Sequence, residues 1–239
     1  MLSRKYWNSL TNGFCKMTTV LYVWDLPLRL FHWLLVLTLG ASYVTGKQGG
    51  LWLDWHARFG LFIIALLVFR IVWGFNGSTY ARFANFFPTP GRLKKFFSSA
   101  WSGIGHSPLG ALAIFALLIV ILAQAVSGLF AMEDESEFYG PLNGLVSSEW
   151  SERLTAWHAR FIYALILLSA LHVTAIAYYR IIKRKDLMTP MLSGRVVTAS
   201  AYASAVVSGG GWLAFLLAMG IAALVAWLIS SETLLRWFF

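Results

Sequence analysis

Five stretches of about twenty mostly apolar residues divide this chain, and they limit what it can fold into. They run about Leu28–Gly46, Trp55–Phe75, Pro108–Met132, Ala156–Tyr179 and Gly211–Ile229. A helix rises about 1.5 Å per residue, so each stretch can cross a hydrocarbon core roughly 30 Å thick. None shows the strict apolar–polar alternation of a membrane β-barrel strand. Of the 239 residues, 59% are hydrophobic and only 12% charged, where a soluble domain carries roughly a quarter charged. The formal net charge of +9 is scattered between the apolar runs. Such charges set topology, and no basic patch for nucleic acid forms. Cys15 is the single cysteine, which excludes an internal disulfide and any thiolate cluster for zinc or iron–sulfur. The first run is too long for a cleavable signal peptide, and no A-x-A-like site follows it.

Loop charges give the direction. Arg4, Lys5 and Lys16 precede the first run, and Arg82, Arg92, Lys94 and Lys95 separate the second from the third. Arg180, Lys183, Arg184, Lys185 and Arg195 follow the fourth. The loop between runs three and four instead holds six of the ten acidic residues: Glu133, Asp134, Glu135, Glu137, Glu149 and Glu152. The positive-inside bias therefore predicts a multi-pass membrane protein with a cytoplasmic N-terminus and with the acidic loop and the C-terminus outside. The fifth run, after Gly209-Gly210-Gly211, has no ionisable residue between Trp212 and Ile229 and reads as packing or anchoring.

One pentapeptide occurs twice, Trp55-His56-Ala57-Arg58-Phe59 and Trp157-His158-Ala159-Arg160-Phe161, each opening an apolar run at the outer face. His32 lies near the cytoplasmic start of the first run. His172 is fourteen residues beyond His158, which returns it to within about 40° of the same helix face and about 21 Å deeper. The histidines thus pair by depth, His56 with His158 outside and His32 with His172 inside. A single histidine in an apolar helix is usually a hydrogen-bonded interior residue. Four matched in depth are better explained as two pairs of axial haem ligands, because ionisable groups in spans are costly and usually functional. His106, in the turn before the third run, has no partner and reads as a loop residue.

Sliding one pentapeptide onto the other places Arg70 at the position of His172. A cation within a span needs an anion, so Arg70 is a candidate partner for a propionate of the inner haem; the bland alternative is snorkelling to the interface. Arg58 and Arg160 are weaker candidates for the outer haem, and interfacial charge explains them better. Gly40, Gly60, Gly110 and Gly128 would admit a flat macrocycle close to helix backbone, though they equally suit helix packing. The tryptophans gather at span ends, as an aromatic belt does.

Several segments resemble the bacterial cytochrome b561 and nickel–iron hydrogenase b-type cytochrome family. They are Val23-Trp24-Asp25-Leu26-Pro27-Leu28-Arg29-Leu30-Phe31-His32-Trp33, Phe69-Arg70-Ile71-Val72-Trp73-Gly74-Phe75 with Tyr80-Ala81-Arg82-Phe83, and Gly105-His106-Ser107-Pro108-Leu109-Gly110-Ala111. The stretch from Trp157-His158 through Leu171-His172 to Met191-Leu192-Ser193-Gly194-Arg195 completes the pattern. The resemblance implies an all-α integral protein of the bacterial inner membrane, its outer face periplasmic, with a four-helix haem-binding bundle to which this chain adds a C-terminal transmembrane helix. It implies two b-type haems on His32, His56, His158 and His172, and electron relay between the quinone pool and a redox partner such as a c-type cytochrome, hydrogenase or other oxidoreductase. The domain spans 20–196, between an N-terminal extension at 1–19, in which Met17 is an alternative start, and a linker with the fifth helix at 197–239.

The acidic loop suits a basic partner surface. For a quinone, the cytoplasmic end offers Asp25, Arg29 and His106, and the outer end Asp54, Arg58, Arg160 and Glu152. The outer set is preferred because it places carboxylates and arginines beside both ligands. Two rival readings are a haem-free anchor or assembly subunit and, with less support, a proton or metal transporter, since no carboxylate lies inside the spans.

Overall fold

The computed structural model describes residues 18–101, 103, 105–134, 137–199 and 208–231. Arg4, Lys5, Cys15, Lys16, Met17 and Glu135 lie outside the described residues. Among the described residues, five helices are long and apolar enough to cross a membrane: α1 (Leu26–Gln48), α2 (Leu53–Asn76), α5 (Pro108–Leu129), α6 (Ser148–Ile181) and α8 (Trp212–Ser230). Three shorter helices join them: α3 (Phe83–Phe86), α4 (Pro90–Phe97) and α7 (Met188–Ser193). The chain is a multi-pass all-α membrane protein.

Helix starts follow capping chemistry. Asp25, Ser107 and Ser147 each accept a hydrogen bond from a backbone N–H of the first turn of α1, α5 and α6, and Pro27 and Pro108 sit where no N–H is needed. The same signal, Thr89 followed by Pro90, starts α4. Helix α6 begins eight residues before the expected span, because Ser147 caps it and Glu149 pairs with Arg153 one turn on at 2.6 Å. Its 34 residues exceed what a bilayer needs, so its first turns stand beyond the apolar layer.

The spanning helices form two hairpins, α1 on α2 and α5 on α6, joined by packing of α2 against α5. Helices α1 and α6 do not pack extensively on each other among the described residues, and side chains of the two hairpins meet across the bundle, as His56 and His158 do. Helix α8 runs along the remaining face of α2. Phe215 packs edge-on against Phe69 and Trp73, at 5.9 and 6.2 Å between ring centroids, and Ala218 and Ala222 are buried one turn apart. In lipid, helix association rests on close van der Waals fit, and these small residues permit it. Before α8, Gly209 pairs with Ser78, and the Thr79 N–H donates to the Ser208 carbonyl at 3.0 Å.

At one end of the bundle the chain is clasped shut. Strand β1 (Thr18–Tyr22) pairs antiparallel with β4 (Arg195–Ala199), and the N–H groups of Val23 and Trp24 donate to the Gly194 carbonyl at 2.9 and 3.3 Å. Arg29 donates to the Leu192 carbonyl beside it. Asp25 ties this end together: Oδ1 accepts from the Leu28 N–H at 2.7 Å, while Oδ2 accepts from Trp73 Nε1 at 3.0 Å and Ser78 Oγ at 2.5 Å. At the opposite end a short hairpin, β2 (Met132–Glu133) with β3 (Phe138–Tyr139), closes the acidic loop. There the Asn143 amide donates to the Phe130 carbonyl at 3.1 Å and to Ser151 Oγ at 2.6 Å.

Since Asp25 both caps α1 and holds α2, Asp25→Ala should destabilise the fold by about 4 kcal/mol, one lost cap plus two lost charge-assisted hydrogen bonds. Thermal unfolding in detergent measures it; a midpoint equal to the parent's would contradict the bracing role.

Candidate functional site

The repeated pentapeptide splits into two faces of its helix. Trp55, Arg58 and Phe59 lie three and four residues apart and therefore together. The Arg58 guanidinium sits 4.9 Å from the Trp55 ring centre, and the Phe59 ring 6.1 Å from that of Trp55. Arg160 and Phe161 repeat this on Trp157 at 5.4 and 5.4 Å. Both tryptophans and both arginines are exposed, and an aromatic ring with a cation is suited to the water–lipid interface. Arg58 and Arg160 are thus engaged away from the bundle interior. The histidine between turns the other way.

His56 and His158 face each other with ring centroids 5.8 Å apart and planes crossed at 87°. Each ring is held by the partner helix of its own hairpin. His56 Nδ1 lies 2.8 Å from the Ser42 carbonyl oxygen of α1, and His158 Nδ1 lies 2.8 Å from the Gln124 carbonyl oxygen of α5. A carbonyl only accepts, so Nδ1 carries the proton in both rings and Nε2 keeps its lone pair. Four residues along from each acceptor is a glycine. A β-carbon on Gly46 would stand 2.8 Å from His56 Nδ1, and one on Gly128 2.7 Å from His158 Cε1. The arrangement is the same in both hairpins: the absent side chain at position i+4 gives the imidazole access to carbonyl i.

The two rings border one largely apolar cleft, which Ser42, Gly60, Gln124 and Gly128 also line, with Phe138, Gly140 and Pro141 of the acidic loop at its end. This donor set fits a b-type haem. Two neutral imidazoles oppose each other with Nε2 lone pairs, that of His158 met by the Gln124 amide at 3.2 Å, and a metal–nitrogen bond of about 2 Å on each side would set centroids about 6 Å apart. The hydrogen bond from Nδ1 to a carbonyl is the usual support for an imidazole that ligates through its other nitrogen.

His32 and His172 lie within electrostatic reach of each other, His32 from α1 and His172 from α6. His32 Nδ1 is buried without a hydrogen-bond partner, and the ring meets Trp33 edge-on at 5.0 Å. Arg70 is 2% exposed, which rules out snorkelling. Its guanidinium lies 4.3 Å from the Phe83 ring centre, and Nη1 is buried without a partner. Gly40 and Gly60 have open space where a side chain would stand, whereas Gly110 meets its own cap, Ser107.

The prokaryotic cytochrome b561 family model matches residues 23–194, the two ends that the Val23–Gly194 hydrogen bond joins. The chain belongs to the prokaryotic cytochrome b561 family. It is similar to proteins named "Probable Ni/Fe-hydrogenase B-type cytochrome subunit". One, from Azotobacter chroococcum mcd 1, is 27% identical over 222 residues, covering 74% of this chain and 88% of that protein. Another, from Bradyrhizobium diazoefficiens, is 24% identical over 210 residues, covering 72% and 84%. The similarly named hydrogenase 1 subunit of Escherichia coli (strain K12) is 26% identical over 149 residues, covering 49% and 62%. No solved structure matches.

Within this cytochrome b561 fold, three residues lie outside the sequence reading: Ser42 and Gln124, which line the cleft, and Gly46, which stands against the His56 ring. Gln124 was legible in principle, as the only amide in the apolar α5, and its Nε2 lies 3.2 Å from His158 Nε2. Gly46 carried no signal, since only its neighbour across the hairpin gives it meaning. Gly128→Ala and Gly46→Ala should therefore each displace a ring and lower the haem content of the purified protein by about half, while Gly40→Ala leaves it unchanged. Equal haem content in all three would contradict the cradle.

Proposed function

We propose that this protein is a di-haem b-type cytochrome that relays electrons across the membrane between the quinone pool and an oxidoreductase partner. The crossed pair His56 and His158, each with Nδ1 tied to a carbonyl, carries this reading. A b-type haem on two imidazoles supplies a one-electron iron couple that cycles without gaining or losing a ligand. His56 and His158 would hold one such group, and His32 and His172 a second, nearer the clasped end. Arg70 would meet a propionate of the second, since a buried guanidinium calls for an anion. Ser42 and Gln124 fix the rings through their carbonyls, and the apolar helix faces keep water from the ligands.

The haem-free anchor reading leaves two facing imidazoles without a purpose, each provided with a carbonyl acceptor and a glycine to clear it. Loop charges favour a cytoplasmic clasped end and a periplasmic acidic loop. Hydrogenase is the partner class favoured by the names of the relatives, and the acidic loop that ends the cleft would offer it a charged approach near the His56–His158 pair. We place the quinone at that end too. Both Asp25 oxygens are already committed to the fold, whereas Asp54 and Glu152 are exposed beside the arginines of the repeated motif.

The reduced-minus-oxidised spectrum of the purified protein tests this. A b-type α-band with about two haems per chain is expected. His56→Ala and His158→Ala should each remove the same component, and His32→Ala and His172→Ala the other. An empty spectrum would leave the anchor reading in its place, and loss of different components within a pair would overturn the pairing.

A further inference from the structure

We propose that His106 joins Arg70 as the second donor of a carboxylate-binding site, taking a propionate of the haem assigned to His32 and His172. The inference rests on that assignment and extends it to a residue that sequence alone marks as an ordinary loop histidine.

Arg70 needs an anion that the fold does not supply directly. Asp25 is the carboxylate whose charge reaches it, yet its oxygens already accept from the Leu28 N–H, Trp73 and Ser78. No Arg70–carboxylate ion pair occurs among the described residues. Asp25 therefore compensates the guanidinium from a distance and leaves Nη1 without an acceptor.

His106 stands in the same neighbourhood. Its ring lies between Trp24 and Phe86, at 4.3 and 4.4 Å between centroids, and Phe86 is also 6.0 Å from the Arg70 guanidinium. His106 Nδ1 is buried with no partner. Burial first, and then the Arg70 charge, push this imidazole down to about 3, so it is neutral at physiological pH and keeps a single N–H to donate. The turn that presents it is closely fixed. Gly105 adopts φ +89°, a β-carbon there would stand 3.1 Å from Tyr80, and Ser107 caps α5 immediately after. Two buried nitrogens without partners, sharing Phe86 as neighbour, suit one acceptor group of negative charge. The aromatic enclosure and the near-complete burial of Arg70 favour a carboxylate brought in on an apolar body over a lipid phosphate.

The test uses the full chain in detergent with both haems bound. Two readouts are followed: the propionate bending modes by resonance Raman, and the midpoint potential of the component that His32→Ala removes. His106→Leu and Arg70→Leu should each move a propionate mode and shift that midpoint downward, because a carboxylate stripped of donors disfavours the more electron-rich reduced state. The double variant should shift it by less than the sum of the two, and His106→Gln, which keeps a donor, should return toward the parent. Should His106→Leu not assemble, His106→Phe, which also lacks a donor, carries the test. Unaltered modes and midpoint in a donor-less His106 variant that retains two haems would overturn the proposal alone. A parent protein with a single haem, on His56 and His158, would overturn it together with the di-haem reading.

Discussion

An imidazole that is to ligate iron from within a membrane must be held by its other nitrogen, and the only abundant acceptors there are helix carbonyls already used by the helix itself. This protein meets that constraint in the same way twice. His56 reaches the Ser42 carbonyl and His158 the Gln124 carbonyl, each past a glycine one turn on, Gly46 and Gly128. The bond sets the tautomer, the tautomer frees Nε2, and hairpin packing sets the two rings face to face. The paired hairpins, the exposed Trp–Arg–Phe anchors and the loop closing the cleft all serve to keep that geometry at one depth.

The two ends of the bundle differ in kind. At the His56–His158 end both imidazoles are hydrogen-bonded through Nδ1, and Gln124 Oε1 is buried without a partner. Toward the clasped end, His32 Nδ1, Arg70 Nη1 and His106 Nδ1 are buried without partners, while Asp25 is saturated. Arg29 Nε, Trp33 Nε1 and Arg82 Nε are likewise buried without partners; buried polar groups are ordinarily hydrogen-bonded, so this concentration of unpartnered nitrogens is informative. Together they mark where a further polar ligand fits. Helix α8 supports this region from outside, through Phe215 on Trp73, whose indole in turn holds Asp25.

Much of this was legible in the sequence. The five spans were set by apolar length, and the bilayer leaves few other folds for such a chain. The histidine pairing by depth followed from helix rise alone. The amphipathic helix α4 was passed over as a charged loop, although Thr89-Pro90 announced its start. The first turns of α6 were missed because hydropathy records the lipid-facing part of a helix and not its polar extension. Arg58 and Arg160 looked like haem partners because they flank the ligands in sequence. In the helix they stand about 200° from the histidine two residues earlier, on the opposite side, over their tryptophans. Gly46 shows the limit most clearly, since a glycine that clears room for a side chain on another helix is silent until the two helices are brought together; Gly128, which reads in sequence as room for a macrocycle, clears the His158 ring.

The central claim, that His56 and His158 share one iron, is tested most directly by low-temperature electron paramagnetic resonance of the oxidised protein. Two axial imidazoles with planes crossed at 87° should give a low-spin ferric signal with a large maximal g value, and that signal should vanish in both His56→Ala and His158→Ala. Absence of a low-spin signal from the parent protein, or its survival in either variant, would contradict the account.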